Sequence, residues 1–127
     1  MPHQVLLIDD SLTMRQVLKV YLMGGKYEFI EADNEMRALD LLRVMRIDLV
    51  IADVNMPRVD GIEFVERVRA SERPHVASVP IILVTGDRSK EMLARIANAK
   101  ANAYLTKPLE AERLLELMEG LLTRPST

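Results

Sequence analysis

Acidic side chains follow two of the apolar runs in this 127-residue sequence. Asp9 and Asp10 come directly after the run Val5 to Ile8, and Asp53 comes directly after Leu49 to Ala52. A single acidic residue after a strand is usually a helix cap, and Asp10 with the serine behind it suits that role. Three carboxylates that meet repel one another by on the order of 4 kcal/mol per pair at about 4 Å, for an effective dielectric near 20, unless protons or a cation neutralise them. Their shared position after strands therefore predicts a cation site.

The donor atoms available at this site indicate which cation it would bind. The chain contains no cysteine, and its two histidines, His3 and His75, lie in other segments. Carboxylate and carbonyl oxygens are typical ligands of Mg²⁺, with Mn²⁺ as an alternative, and they argue against zinc or copper. The sequence predicts a hard divalent cation that leaves coordination positions open for phosphoryl oxygens.

Two further polar side chains follow apolar runs later in the chain. Thr85 follows the run Val79 to Val84, and Lys107 follows Ala103 to Thr106. A hydroxyl donor and a fixed positive charge beside a metal ion are components of a phosphoryl-transfer site. Asp53 is the predicted nucleophile because it ends the run expected to be most buried, and a carboxylate that attacks phosphorus forms an acyl phosphate.

Short apolar runs alternate with longer segments of helical period, which predicts one α/β domain of five βα units. We expect an open, doubly wound parallel sheet with helices on both faces and a ligand site at the carboxyl ends of the strands. The run Tyr27 to Glu31 contains charges and is expected at an edge of the sheet. The predicted strands are Val5 to Ile8, Tyr27 to Glu31, Leu49 to Ala52, Val79 to Val84 and Ala103 to Thr106.

Apolar stripes at helical spacing mark the first, second and last helices. The sequence Gly24-Gly25 ends the first helix, and Asp33-Asn34 provides an N-cap for the second. A third helix is predicted over about Ile62 to Arg69, a fourth over about Lys90 to Lys100, and a loop over Ser71 to Ser78. The stripes consist of Met14, Val17, Leu18, Tyr21 and Leu22; of Ala38, Leu41, Leu42 and Met45; and of Leu114, Leu117, Met118 and Leu121.

Composition excludes several classes of function. Seventeen basic and nineteen acidic residues give a net charge of −2 without a basic run, which argues against direct binding of nucleic acid. No apolar stretch is long enough for a membrane span, and no signal peptide is present, so a cytoplasmic location without membrane attachment is expected. We expect one domain over residues 1–127, with a core over about 4–122 and a free tail over 123–127.

Five short motifs follow one another in the order typical of a known signalling family. They are Val5 to Asp10, Asp53 to Pro57, Asp60-Gly61, Val84 to Gly86 and Tyr104 to Pro108. Together they resemble the response-regulator receiver domain of two-component signalling, and most closely its stand-alone chemotaxis-type form. The resemblance extends from Val5 to about Leu122. It implies a flavodoxin-like fold with strand order 2-1-3-4-5.

The resemblance also implies roles for the residues at the strand ends. Asp53 would accept a phosphoryl group from a phosphohistidine on a sensor histidine kinase or a histidine phosphotransfer protein. Asp10 and Asp53 would bind Mg²⁺ directly, Asp9 largely through water or a neighbouring contact, and Asn55 through its backbone carbonyl. Lys107 would pair first with Asp53 and then with the phosphoryl oxygens.

A second group of residues is implied to respond to the phosphoryl group. Thr85 would swing in to hydrogen-bond a phosphoryl oxygen, and Tyr104 would change rotamer behind it. Asn55 and Asp87 resemble positions that control access of the hydrolytic water. The peptide bond between Lys107 and Pro108 is implied to be cis.

Output is expected through a protein contact on the surface formed by the fourth predicted helix, the fifth strand and the last helix. Lys90, Leu93 and Tyr104 are the predicted contacts of an unidentified downstream protein. The chain would be a signalling receiver that catalyses only its own phosphorylation and dephosphorylation. Two segments depart from the family pattern: Ala101 to Ala103 lacks the usual glycine, and Leu109 stands where an aromatic residue is frequent.

Two alternative functions predict different residues at the site. A receiver-like scaffold that is never phosphorylated would be expected to lack one of the residues that make up the site, namely Asp9, Asp10, Asp53 and Lys107, and all are present. A phosphohydrolase that forms an aspartyl phosphate usually has a second acid two residues after its nucleophile, where this chain has Asn55.

Overall fold

The computed structural model describes residues 2–56 and 60–123. Its five strands form one parallel sheet in the order β2-β1-β3-β4-β5, which confirms the predicted fold and strand order. The strands are β1 (His3–Ile8), β2 (Tyr27–Ala32), β3 (Leu49–Asp53), β4 (Ile81–Thr85) and β5 (Ala103–Thr106). The helices are α1 (Leu12–Tyr21), α2 (Glu35–Val44), α3 (Gly61–Arg69), α4 (Pro74–Ala77), α5 (Lys90–Asn98) and α6 (Ala111–Leu122).

The sheet separates two apolar layers. Alternating side chains of the central strands point to opposite faces, so that Val50 and Ala52 of β3 pack with α2, α3 and α5, whereas Leu49 and Ile51 pack with α1 and α6. Every residue of β3 and β4 is buried, as expected for strands covered on both faces. β2 lies at one edge of the sheet, as its charged residues predicted.

Short polar side chains start four of the helices. The hydroxyl or carboxylate oxygens of Ser11, Asp60 and Ser89 and the amide oxygen of Asn34 each accept the backbone N–H of the residue three positions later, at 2.9 to 3.2 Å. Each bond satisfies one amide that has no partner inside the first turn of its helix. The caps predicted at Asp10-Ser11 and Asp33-Asn34 are thereby confirmed, and in each pair the second residue is the cap.

The structure corrects three predicted boundaries. β4 begins at Ile81 rather than Val79, because Pro80 has no amide to donate to a ladder bond. The segment predicted as a loop contains the short helix α4, which Pro74 starts at a position where its missing N–H costs nothing. α5 ends at Asn98 rather than near Lys100, whose φ of 66° is incompatible with a continuing helix.

Polar contacts hold the turn before β5, where the family usually has a glycine. The guanidinium of Arg69 donates to the carbonyl of Lys100 at 3.0 Å and to Oδ1 of Asn102 at 2.8 Å. Asn102 also accepts the amide of Ile81 at 2.8 Å, so the turn is tied to the start of β4. These bonds hold Lys100 in its left-handed conformation without a glycine.

Some predictions fall at or beyond the limits of the described residues. Thr123 caps α6, while the rest of the predicted tail, residues 124–127, lies outside the described residues, as does Pro57 of the third-strand motif. Within residues 2–56 and 60–123, no helix combines the length and apolar character needed to cross a membrane.

Candidate functional site

The carboxyl ends of four neighbouring strands bring the predicted site residues to one edge of the sheet. Asp53 is the last residue of β3, between Asp9 after β1 and Thr85 at the end of β4. Lys107 follows β5, and its amide donates to the carbonyl of Thr85 at 2.8 Å. Parallel strands all end on the same side of a sheet, which explains why residues distant in sequence meet here.

Asp53 lies at the centre of this site with both carboxylate oxygens hydrogen-bonded. Oδ1 accepts the amide of Asn55 at 2.9 Å, and Oδ2 accepts the ammonium of Lys107 at 2.9 Å. The residue is only 5% exposed, so the ion pair compensates a charge that is largely removed from water. The two bonds fix the orientation of the carboxylate.

Asp9 is a second buried carboxylate beside Asp53. It is 3% exposed, and its Oδ1 accepts the amide of Ser11 at 2.8 Å. Burial raises the pKa of Asp9 to about 6, and the neighbouring charge of Asp53 adds to that rise, while the Ser11 amide and Lys107 oppose it. The two carboxylates therefore compete for a limited amount of compensating positive charge.

Asp10 does not join this buried pair. Its side chain is exposed at the edge of the site, and within residues 2–56 and 60–123 no three acidic or histidine side chains are gathered closely enough to hold a metal ion by themselves. Asp9, Asp10 and Asp53 nevertheless line one cleft, in which the first and last are buried and Asp10 is exposed. Asp10 is exposed because it lies beyond the buried end of β1, directly before the cap Ser11 of α1.

A cleft of about 600 Å³ opens over these acidic groups. Asp9, Asp10, Asp53 and Asn55 contribute oxygen-bearing groups to its lining, and Lys107 adds an ammonium. Mg²⁺ in proteins is usually held by one or two carboxylates and several waters, so this donor set fits it. The lining also includes the mostly apolar side chains of Met14, Val17, Tyr21, Pro108 and Leu109.

Thr85 and Tyr104 have different environments near the site. Thr85 is fully buried, and its hydroxyl accepts the amide of Asp87 at 3.0 Å. Tyr104 on β5 is 44% exposed, so its ring stands outside the core. Asn55 and Asp87 are both exposed at the edge of the site, and their influence on water access stays a prediction.

The predicted output surface contains two exposed residues and one that is partly buried. Lys90 and Tyr104 are exposed, whereas Leu93 is half-buried and packs against the core. The peptide bond between Lys107 and Pro108 is cis, as the resemblance implied. Beside it, the guanidinium of Arg88 donates to the carbonyl of Lys107 at 3.2 Å.

Sequence reasoning missed two contacts that support the site. A Cβ atom on Gly61 would lie 2.5 Å from the carbonyl oxygen of Asp53, so the start of α3 packs directly on the backbone of the central aspartate. Arg15 of α1 donates to the carbonyl of Asp9 at 2.5 Å. The motif Asp60-Gly61 was a signal for the first contact, but nothing in the local sequence pointed to the second.

Comparison with known proteins agrees with this architecture. The family model described as the response regulator receiver domain matches residues 5–119. The chemotaxis protein CheY of Pseudomonas aeruginosa is 34% identical over 122 residues, covering 95% of this chain and 97% of that protein. The structure of the chemotaxis response regulator CheY4 of Vibrio cholerae has a TM-score of 0.85 at 33% identity, covering 96% of this chain and 100% of that one.

A more distant structure shows the same fold. The receiver domain of the sensor histidine kinase PA1611 from Pseudomonas aeruginosa, described with a magnesium ion coordinated in its active-site cleft, has a TM-score of 0.87 at 22% identity. It covers 98% of this chain and 100% of that one. The match over most of the chain, together with the close CheY-type relatives, establishes the family. This chain belongs to the response regulator receiver domain family of two-component and chemotaxis systems.

Proposed function

We propose that Asp53 accepts a phosphoryl group from a phosphohistidine on a sensor histidine kinase or a histidine phosphotransfer protein. The observation that carries this proposal is the buried carboxylate of Asp53 at the centre of the sheet, 2.9 Å from the ammonium of Lys107 and beside the carboxylate of Asp9. Membership of the receiver family supports it, because receiver domains are signalling modules rather than conventional enzymes. A cytoplasmic location stays a prediction.

The transfer step is a displacement at phosphorus. A carboxylate oxygen of Asp53 attacks the phosphorus atom, and the P–N bond to the donor imidazole breaks with its electron pair on nitrogen. The imidazole then takes a proton from solvent, and Asp53 becomes an acyl phosphate. In the separate dephosphorylation step, a water oxygen attacks phosphorus and loses a proton to solvent, the P–O bond to Asp53 breaks, and inorganic phosphate and the free carboxylate result.

The residues of the cleft have separate tasks in this step. Lys107 compensates negative charge first on Asp53 and then on the phosphoryl oxygens. Asp10 and Asp53 would hold Mg²⁺ directly, with Asp9 acting largely through water and Asn55 through its backbone carbonyl. When bound, Mg²⁺ supplies positive charge for the phosphoryl oxygens. The same fold accommodates magnesium in the cleft of the PA1611 receiver domain.

The switch begins at Thr85. Its hydroxyl now bonds to Asp87, and we infer that it exchanges this partner for a phosphoryl oxygen once Asp53 is phosphorylated. Tyr104, which lies on the next strand and is exposed, would then turn inward. The movement would change the surface of α5, β5 and α6 that carries Lys90 and Leu93, and a downstream protein would bind there.

Mass spectrometry with a small phosphodonor tests the proposal. Incubation of the protein with acetyl phosphate and Mg²⁺ should add one phosphoryl group to the intact mass. The addition should be absent without Mg²⁺ and absent in Asp53→Asn, while the matched variant Asp33→Asn, which changes an exposed aspartate, should behave like wild type. Absence of any addition in wild type, even with a phosphorylated kinase, would favour the unphosphorylated scaffold. Multiple turnover of unrelated phosphomonoesters would favour the phosphohydrolase.

A further inference from the structure

We propose that Arg15 positions the acidic loop between β1 and α1 for binding of the divalent cation. This inference rests on the proposed function, because it concerns the same cation. Arg15 carries no predicted role in the chemistry, and it lies on α1, one turn after the cap Ser11. Its side chain is nonetheless only 13% exposed, which is unusual for an arginine on a surface helix.

The guanidinium of Arg15 joins two segments. One nitrogen donates to the backbone carbonyl of Asp9 at 2.5 Å, and the Nε atom donates to a carboxylate oxygen of Glu31 at 3.0 Å. Glu31 lies on β2 opposite Leu7 of β1. Arg15 therefore ties the helix, the edge strand and the acidic loop together through one rigid, planar group.

Glu31 holds the Arg15 guanidinium in place and is itself held by a second cation. Its second carboxylate oxygen accepts the ammonium of Lys19 at 2.6 Å, one helical turn beyond Arg15. Lys19, with Arg15 beside it, lowers the pKa of the Glu31 carboxyl. Glu31 therefore stays ionised at neutral pH and holds both cations, but only the cation at Arg15 reaches the acidic loop.

The bond to the Asp9 carbonyl determines the orientation of the peptide between Asp9 and Asp10. The amide of Asp9 already donates to Ala32 at 3.2 Å, and its side chain accepts the amide of Ser11. The carbonyl bond from Arg15 completes this anchoring. Because Asp10 is exposed and is not held by core packing, the direction of its side chain depends on this peptide.

A simple charge effect and a positioning effect predict opposite changes in cation affinity when Arg15 is replaced. Removal of a positive charge near an acidic site strengthens cation binding by Coulomb attraction alone. If Arg15 instead orients the ligands, its removal weakens cation binding in spite of that gain. Lys19 provides the matched control, because it shares the Glu31 partner and the same charge but does not contact the Asp9 carbonyl.

The test compares Arg15→Gln with Lys19→Gln in the unphosphorylated protein. Mg²⁺ affinity is measured by isothermal titration calorimetry, and thermal unfolding in EDTA is measured alongside. We expect Arg15→Gln to weaken Mg²⁺ binding about tenfold. Lys19→Gln should leave it unchanged or slightly tighter. Equal changes in Mg²⁺ affinity in the two variants, or tighter Mg²⁺ binding in Arg15→Gln, would overturn the inference.

A second variant covers the case in which Arg15→Gln does not fold. Arg15→Lys keeps the charge but replaces the fork of donors with one ammonium, so Mg²⁺ binding should weaken by at least about threefold. Affinity equal to wild type in folded Arg15→Lys would contradict the positioning role. Failure of wild type to bind Mg²⁺ would instead refute the proposed function, which separates the two claims.

Discussion

The ammonium of Lys107 lies 2.9 Å from Oδ2 of Asp53, although 54 positions separate the two residues in sequence. The contact crosses from the end of β5 to the end of β3, past β4, where the amide of Lys107 is bonded to Thr85. A phosphoryl group on Asp53 would thus change the partner of a lysine that directly follows β5, a strand of the proposed output surface. The contact between Lys107 and Asp53 thus connects the proposed phosphorylation site to the proposed output surface.

Replacement of this lysine should separate phosphorylation from switching. Lys107→Ala is expected to bind Mg²⁺ at least as tightly as wild type, because a competing cation is removed, and still to accept a phosphoryl group. The Tyr104 ring signals in NMR spectra should then stay unchanged on phosphorylation, whereas they shift in wild type and in the remote control Lys26→Ala. A wild-type shift in Lys107→Ala would refute the switching role.

The raised pKa of Asp9 should make the metal-free protein less stable as pH rises. A carboxyl whose folded pKa is about 6, against an ordinary value of 3.8, contributes stability below pH 4 that is lost as pH rises through 6. Asp9→Asn keeps the acceptor for Ser11 and removes the charge, so it should stabilise the protein at pH 7.5 by on the order of 1–3 kcal/mol. Urea unfolding in EDTA at pH 5 and pH 7.5 measures both effects. If Asp9→Asn is less stable than wild type at pH 7.5, the expected gain from removal of the buried charge is refuted.

Replacement of Gly61 or Gly120 by alanine should change the free energy of unfolding in opposite directions. Gly61→Ala would place Cβ 2.5 Å from the Asp53 carbonyl oxygen. We expect this substitution to lower the free energy of unfolding by about 2 kcal/mol or more and to slow phosphorylation. Gly120 has no atom within 4 Å of such a Cβ and lies in α6, so Gly120→Ala should add up to about 1 kcal/mol. Chemical denaturation and the acetyl phosphate assay measure the pair. Unchanged stability in Gly61→Ala would mean that α3 moves away without loss.

Asp60 combines a helix cap with an ion pair, and two substitutions separate them. Its carboxylate accepts the amide of Glu63 at 2.9 Å and pairs with Arg95 of α5 at 2.7 Å. Asp60→Ala loses both contacts and should lower the free energy of unfolding by about 1–2 kcal/mol, whereas Asp60→Asn keeps the cap and should lower it by less. Arg95→Ala should match Asp60→Asn in urea unfolding. Equal losses for the two Asp60 variants would assign the stability to the ion pair.

The pH dependence of this contact has the opposite sign to that of Asp9. Burial alone would raise the pKa of Asp60, but the Glu63 amide and the Arg95 guanidinium outweigh it, so the pKa lies below its ordinary value of 3.8. The stabilisation is present above that value and is lost as pH falls through the lower folded pKa. The acid-unfolding midpoint of Arg95→Ala should therefore lie at a higher pH than that of wild type, whereas a lower midpoint would contradict the assignment.

Features encoded over short stretches were predictable from the sequence. The apolar runs of β1, β3 and β5, the apolar stripe of α1 and the caps Ser11 and Asn34 depend on neighbouring residues, and all were found near the expected positions. The strand order followed from resemblance to the receiver family. The predictions of β4 from Val79 and of a loop over 71–78 were wrong because Pro80 and Pro74 act on backbone bonding rather than on periodicity.

Contacts between distant segments were decided by tertiary structure. The sequence supplied the acidic residues, but only the folded chain shows that Asp9 and Asp53 are buried as a pair and that Asp10 is exposed at the edge of their cleft. The bond from Arg15 to the Asp9 carbonyl and the approach of Gly61 to Asp53 likewise depend on the distance between elements. Periodicity and capping specify which face of an element is buried, whereas the position of one atom against another depends on how whole elements pack.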